Sequence, residues 1–495
     1  MGIKRIGICS LIMCLFFLHL DTFAQKKGKK QDDKGSEIKF ILEGLPDTLL
    51  YFAYYYADNT YMYDTLHRSR KEPYTFICRK DSLIPRGIYL LAKQDKVKLM
   101  ELVIDSSTSF TVKATNLNSE AMDILNNLQF INSPENEIMV TYFLTMSMFQ
   151  REIYRLANEI RQEETADNPD TARIDEQKKE RRLYQDSLRN YMSTFIDNNR
   201  HTLFGKARLL SQDVSIPEPP KNPDGSLVDS NFAYQYYMNH YWDNMDFSES
   251  ALLSTPAFSP RLKTYYEEVI PPLIDTVIKY TDLLLEKAKD NEELFQYIIR
   301  FVTSRYERSQ YVAHDAIFVH MVQKYYAEGL CPWVDEAVLE EMVKKAEKLS
   351  LILIGRKAPE LYMADTNGVF HSNYEFDRKY TIMWFWELNC GHCKTATPKL
   401  VEFYNRAKDS LDFEVYAVCT SSDTVKWKQA IIEKQLPWIN VGGNKANINY
   451  RIVYDVTSTP VIYVLDKEKK IIVKKIGIDE LEPFLRNYDE GKIKY

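Results

Sequence analysis

The chain has 495 residues, more than one hydrophobic core ordinarily serves, so it is read in pieces. Hydrophobic residues make up 45% and charged residues 27%, ordinary globular values that exclude a wholly disordered or membrane-embedded chain. The formal net charge of -6 is small for this length and gives no electrostatic reason to expect nucleic acid as a partner.

The first residues read as an export signal. Lys4 and Arg5 precede the apolar run Ile6–Leu20, and Thr22-Phe23-Ala24 ends on a small residue suited to cleavage. Residues 1–24 are therefore expected to be a signal peptide, with the mature chain beginning at Gln25. The run is shorter than the ~20 residues a spanning helix needs. Met13 stands where a lipoprotein site before Cys14 wants a small residue, so no lipid anchor is expected. No second run is long enough to span a bilayer, which places the mature chain in the periplasm or cell envelope. Residues 25–35 are polar and Lys-rich, and are expected to form a mobile linker.

Residues 36–117 carry short apolar runs between turn residues, among them Ile38–Leu42, Leu49–Tyr56, Tyr74–Cys78, Gly87–Ala92 and Met100–Ile104. This spacing predicts an all-β, sandwich-like domain. The tyrosines between Tyr51 and Tyr63 are read as strand packing rather than a ligand face. From 118 to 352 the period becomes helical. Ser133-Pro134 is a helix start, Thr165–Arg182 is a charged helix pair or loop, and the prolines within Ser215–Ser226 forbid regular helix. Further helices are predicted over Leu273–Ala288, Leu294–Tyr306, Val312–Tyr326 and Glu336–Leu349. The eight histidines form no metal motif: His314 and His320 are six apart, on different helix faces, and no HExxH is present.

Residues 353–495 alternate strands and helices. A turn at Asn367-Gly368 precedes the apolar strand Tyr380–Trp386 and then Cys390-Gly391-His392-Cys393. A helix, the strand Phe413–Cys419, a helix over Thr424–Lys434, two closing strands (Thr459–Asp466 and Lys469–Gly477) and a terminal helix follow. Such order predicts an α/β sheet covered on both faces.

Beyond the signal segment the cysteines are Cys78, Cys331, Cys390, Cys393 and Cys419, an odd and scattered set that is no disulfide scaffold. Only Cys390 and Cys393 are close. A zinc site would need a second ligand pair, and haem attachment would need histidine where Lys394 stands. A permanent structural disulfide would show low reactivity after reduction. The redox reading puts Cys390 at a helix start, where free amides and the helix dipole favour its thiolate. Cys390 then attacks a disulfide and Cys393, one turn on, resolves the mixed disulfide. A protonated His392 would add positive charge beside the thiolate. Cys78, Cys331 and Cys419 read as buried small hydrophobes, with Cys419 a third redox residue if it borders the site.

The strand leading into this motif, Pro398 five residues beyond Cys393, the Thr459-Pro460 dipeptide opening a strand, and the strand and helix inserted between Phe413 and Lys434 together resemble the thioredoxin fold. More specifically they are similar to the TlpA-like thiol-disulfide oxidoreductases of bacterial envelopes. The β-rich residues 36–117 are similar to modules often found ahead of such domains. The resemblance implies a cis Pro460 facing the cysteines, Thr459 offering backbone hydrogen bonds to an extended substrate, and Gly391 and His392 within the catalytic motif. It implies no cofactor beyond the Cys390–Cys393 redox disulfide, no metal, protein dithiol or disulfide substrates, and a membrane electron-transfer partner. Three positions depart from the pattern. Trp384 stands where thioredoxins place a buried aspartate, Ala396 where some relatives carry a glutamate, and Asn389 where many carry tryptophan. Glu387 is nearby but is expected at the surface. The enzymatic alternative is a peroxiredoxin-like peroxidase, which would want Thr or Ser where Glu387 stands. The alternative from another class is a non-catalytic envelope scaffold with a redox-sensing terminal domain. The sequence sets no direction of electron flow.

Overall fold

Along Ser36–Leu42 (β1) burial alternates residue by residue, the signature of a strand with one face in a core. The computed structural model describes residues 35–493 other than 116, 118–120 and 310. The expected signal peptide, and the expected linker up to residue 34, lie outside the described residues. The chain divides into two units, Met1–Val269 and Ile270–Tyr495.

In the first unit β1 is followed by β2 (Leu49–Tyr56), β3 (Asn59–His67), β4 (Thr75–Lys80), β5 (Gly87–Lys93), β6 (Lys98–Ile104), β7 (Phe110–Ala114), α1 (Ala121–Asn126) and β8 (Gln129–Ile131). Two four-stranded sheets result, ordered β4-β1-β7-β8 and β3-β2-β5-β6. Phe40 of β1 and Phe52 of β2 meet edge to face at 5.8 Å, and both belong to one buried cluster shared by the two sheets. This is the expected sandwich. The tyrosines pack on one another and on the core: Tyr54 lies against Tyr61, Tyr63 and Tyr89.

Helices α2 (Pro134–Glu164), α3 (Thr171–Asn199), α4 (Leu203–Leu210), α5 (Phe232–His240) and α6 (Phe258–Thr264) complete the unit. Pro134 opens α2 as predicted, yet Ser133 does not cap it; its Oγ instead accepts a hydrogen bond from Asn136 Nδ2 at 2.7 Å. Fully buried Asn136 also accepts from the Val103 amide (2.8 Å) and donates to the Val103 carbonyl (2.7 Å), pinning α2 to β6. The charged stretch proves to be the turn between α2 and α3 and the start of α3, where Asp170 caps the Arg173 amide.

The second unit begins with α7 (Ile274–Ala288), α8 (Glu292–Glu307), α9 (Asp315–Met321) and α10 (Glu336–Ser350). It continues through β9 (Tyr362–Asp365), β10 (Phe370–Ser372), β11 (Tyr380–Trp386), α11 (Gly391–Leu411), β12 (Phe413–Cys419), α12 (Thr424–Glu433), β13 (Ile439–Ala446), α13 (Tyr450–Val453), β14 (Val461–Leu465), β15 (Ile471–Lys474) and α14 (Ile478–Asp489). One seven-stranded sheet, ordered β10-β9-β13-β12-β11-β14-β15, forms its centre. β11 pairs parallel with β12 and antiparallel with β14, and every one of its residues is buried. On one face α11, α12 and α14 close a core through Leu400, Trp427 and Leu481; on the other, Ile352 and α13 close a second core against Met383 and Tyr463. The sheet is thus covered on both sides.

The division at 269/270 falls inside the stretch read from sequence as one helical domain, 118–352. Helices α7 to α10 share a unit with the sheet because Leu349, Ile352 and Ile354, at and beyond the end of α10, are packed in the sheet's own second core. Helical periodicity reveals that a helix has a buried face but not which core receives it. Among the described residues no helix is long and apolar enough to cross a membrane.

Candidate active site

The buried strand β11 ends at Trp386, which pairs with Cys419 at the end of β12. A short turn follows, closed by the Cys390 amide on the Glu387 carbonyl at 3.4 Å. Cys390 then stands as the N-cap of α11 in an extended conformation, and its Sγ accepts a hydrogen bond from the Cys393 amide at 3.2 Å. A sulfur occupies the place where a serine or aspartate oxygen usually satisfies a free helix amide. Pro398 sits inside α11 and removes one amide donor from its ladder, freeing the Lys394 carbonyl.

The two sulfurs have opposite environments. Both cysteines are free thiols here; Cys390 is half-buried, whereas Cys393 is 1% exposed. Desolvation acts to raise the Cys390 pKa. It is outweighed by hydrogen bonds with the Cys393 and Thr459 side chains and with the Cys393 and His392 amides, which hold the thiol below its ordinary value. Burial, reinforced by the hydrogen bond with Cys390, pushes Cys393 up to about 11. The half-buried sulfur is therefore the easier of the two to ionise and the buried one the harder.

The second wall comes from far along the chain. The peptide bond between Thr459 and Pro460 is cis, as the resemblance implied, and the Thr459 carbonyl oxygen accepts from Cys390 Sγ at 3.1 Å. Thr459 and Pro460 are half-buried, immediately before β14. His392 is exposed in the first turn of α11. A methyl group added to Gly391 would meet no atom within 4 Å beyond its chain neighbours and its own helix's backbone, so open space lies beside this position.

Neither of the places where related sequences carry a carboxylate holds one: Trp384 and Ala396 are both buried apolar groups. Glu387 departs from the expectation of surface exposure, being half-buried. Its charge bears on Cys419 and Tyr450, and its backbone amide on Cys393. Cys419 is buried and pushed up to about 11, first by desolvation; Cys78 and Cys331 are buried and pushed up to about 12 for the same reason. All three suit packing rather than nucleophilic chemistry. Among the described residues no group of three or more His, Cys, Asp or Glu is placed to hold a metal ion. No pattern in the chain points to Arg451, whose guanidinium donates to the Thr420 carbonyl at 2.6 Å and ties α13 to the residue after β12.

Residues 176–350 match a family model described as a domain of unknown function, DUF5106, and residues 354–474 match the AhpC/TSA family. Among curated proteins the chain is similar to the thiol-disulfide oxidoreductase ResA of Bacillus thuringiensis subsp. konkukian. Identity there is 24% over 163 residues, 32% of this chain and 89% of that protein. Similar solved structures include a domain of possible thiol-disulfide isomerase from Cytophaga hutchinsonii, 40% identical, covering 28% of this chain and 95% of that one with a TM-score of 0.27. Another is a thioredoxin-like protein from Bacteroides caccae, 18% identical, covering 56% of this chain and 98% of that one with a TM-score of 0.42.

Proposed function

Since the C-terminal domain of this chain belongs to the AhpC/TSA family of thioredoxin-like domains, we propose that it works as a thiol-disulfide oxidoreductase whose reacting group is the Cys390-Gly391-His392-Cys393 couple. The observation that carries this reading is the contrast between the two sulfurs, one held below its ordinary pKa at a helix start and one held above it in the core.

The steps follow from that contrast. The Cys390 thiolate attacks a disulfide sulfur of the substrate, forming a mixed disulfide and releasing one substrate thiolate. Cys393 then gives up its proton and its sulfur attacks that of Cys390. The second substrate thiol leaves, and the protein holds a Cys390–Cys393 disulfide. Two electrons have passed from the couple to the substrate; the same steps reversed oxidise a dithiol. Thr459 and Pro460 form the wall against which an extended substrate segment lies. Open space beside Gly391 lets that segment approach the sulfur.

The substrates in this reading are protein disulfides or dithiols in the periplasm or cell envelope, reached after signal-peptide cleavage near Ala24. A membrane electron-transfer partner resets the couple there, because an oxidising compartment does not maintain free thiols by itself. No metal or organic cofactor enters the cycle. The test is reduction of insulin disulfides by the full mature chain with dithiothreitol as electron source. Turnover that disappears in Cys390→Ser supports the reading; turnover equal to the unsubstituted protein in that variant overturns it.

A further inference from the structure

The ammonium of Lys474, at the end of β15, is sealed inside the second unit: its side chain is 1% exposed. It pairs with the half-buried Asp315 carboxylate, in the first turn of α9, and donates to the Ile352 carbonyl oxygen at 2.8 Å. One charge lies in the segment matched as a domain of unknown function and the other is the last residue matched to the thioredoxin-like family. Burial of such a pair is a poor device for stability. Desolvating both charges costs as much as their attraction returns, and apolar replacements of similar volume are often neutral or stabilising. In some proteins such a pair instead fixes a single register between the two elements that carry it.

The elements it registers lead to the reactive sulfur. Lys474 lies opposite Tyr463 in the β14–β15 ladder, and the Tyr463 hydroxyl donates to the Tyr454 carbonyl at 2.6 Å. The next residue, Lys475, pairs with Asp455 at 2.5 Å. Tyr454 and Asp455 begin the loop that ends at Thr459-Pro460, whose carbonyl meets Cys390. Ile352, Tyr454, Val456 and Tyr463 share one buried cluster. A continuous set of contacts therefore runs from α9 to the wall of the thiol site.

We propose that Asp315 and Lys474 are positioning residues for the redox couple, through which the α7–α10 segment sets where the 454–460 loop stands against Cys390. The helical segment is then part of the redox site and not merely a carrier for it. This rests on Cys390 being the attacking thiol.

The experiment uses the full mature chain and three variants: Asp315→Asn, Asp315→Glu, and the apolar pair Asp315→Leu with Lys474→Met. Two readouts are taken, the pH profile of Cys390 alkylation by iodoacetamide and amide hydrogen exchange across 455–459, with thermal unfolding alongside. Displacing the loop removes the Thr459 side-chain hydrogen bond that helps hold the Cys390 thiol below its ordinary value. Asp315→Asn should thus move the alkylation midpoint up by roughly half a pH unit, about threefold slower labelling below it. Exchange across 455–459 should quicken, and Asp315→Glu should return both readouts toward the unsubstituted protein. If Asp315→Asn does not fold, the apolar pair decides: it should fold with equal or higher melting temperature and still show slow labelling and fast exchange. A folded Asp315→Asn or apolar-pair protein with unchanged profile and exchange overturns the proposal. Failure of the unsubstituted protein to label at Cys390 would instead overturn the thiol assignment, and loop exchange alone would then decide the positioning role.

Discussion

The sulfur of Cys390 lies 3.1 Å from the carbonyl oxygen of Thr459, a residue 69 positions later in the chain. The loop that leaves β11 and the loop that enters its antiparallel neighbour β14 thereby meet at one end of the pair. In the proposed reaction, a substrate segment that reaches the sulfur also lies against Thr459 and Pro460.

Because Cys393 waits beneath Cys390, removing only the second sulfur should stop the cycle halfway. Cys393→Ser is expected to accumulate a mixed disulfide between Cys390 and its protein substrate, visible as a dithiothreitol-sensitive band on non-reducing gels. Insulin turnover should fall on the order of 100-fold or more. Full turnover in Cys393→Ser would show that resolution does not use this sulfur.

Hydrogen peroxide should be a poor oxidant for the reduced protein. Glu387 stands three residues before the attacking cysteine, where a peroxidase of the peroxiredoxin kind would want Thr or Ser, and a carboxylate beside a peroxide oxygen opposes the developing charge. Peroxide consumption measured with dithiothreitol as reductant should stay near the uncatalysed rate; rapid catalytic consumption would favour the peroxidase.

Asn136 is the buried link between α2 and β6. Asn136→Ala leaves the Val103 amide and carbonyl without partners in a site water does not reach, and should cost about 2–4 kcal/mol in urea unfolding. A loss under 1 kcal/mol would mean that the backbone finds other partners.

Glu482 joins α14 to α11. Hydrogen bonds from Arg406, then from Arg486, hold its carboxyl down to about 2, below the ordinary 4.5. Its folded pKa is depressed, so its contribution is complete above pH 4.5 and is lost as pH falls toward 2. Glu482→Gln should flatten that acid limb of stability. The pair is near the surface, so the difference should stay below about 1 kcal/mol. A steeper acid limb in the variant would reverse the sign argued here.

The C-terminal domain was legible because its signals are local. Tyr380–Trp386 is uniformly apolar, and a uniformly apolar strand must be covered on both faces. The cysteines follow at once, and Thr459-Pro460 opens the next strand. The predicted helices over 273–349 match α7 to α10 closely for the same reason: each carries its own periodicity. What stayed hidden depends on partners distant in sequence. Asp315 and Lys474 are 159 residues apart, and neither position differs from an ordinary surface charge until the fold buries Lys474 and half-buries Asp315 against it. Ser133 looked like a cap, but buried Asn136 claims its hydroxyl. Glu387 looked exposed because a residue just past a strand usually is, yet it is half-buried, its charge bearing on Cys419 and Tyr450.

The most direct measurement is mass-spectrometric mapping of iodoacetamide labelling on the reduced full chain as pH is raised. Label should appear on Cys390 alone around neutral pH, with Cys393 and Cys419 following only as pH approaches about 11. Labelling of Cys393 before or together with Cys390, or no labelling at Cys390 below pH 9, would contradict the assignment of Cys390 as the ionised, attacking sulfur.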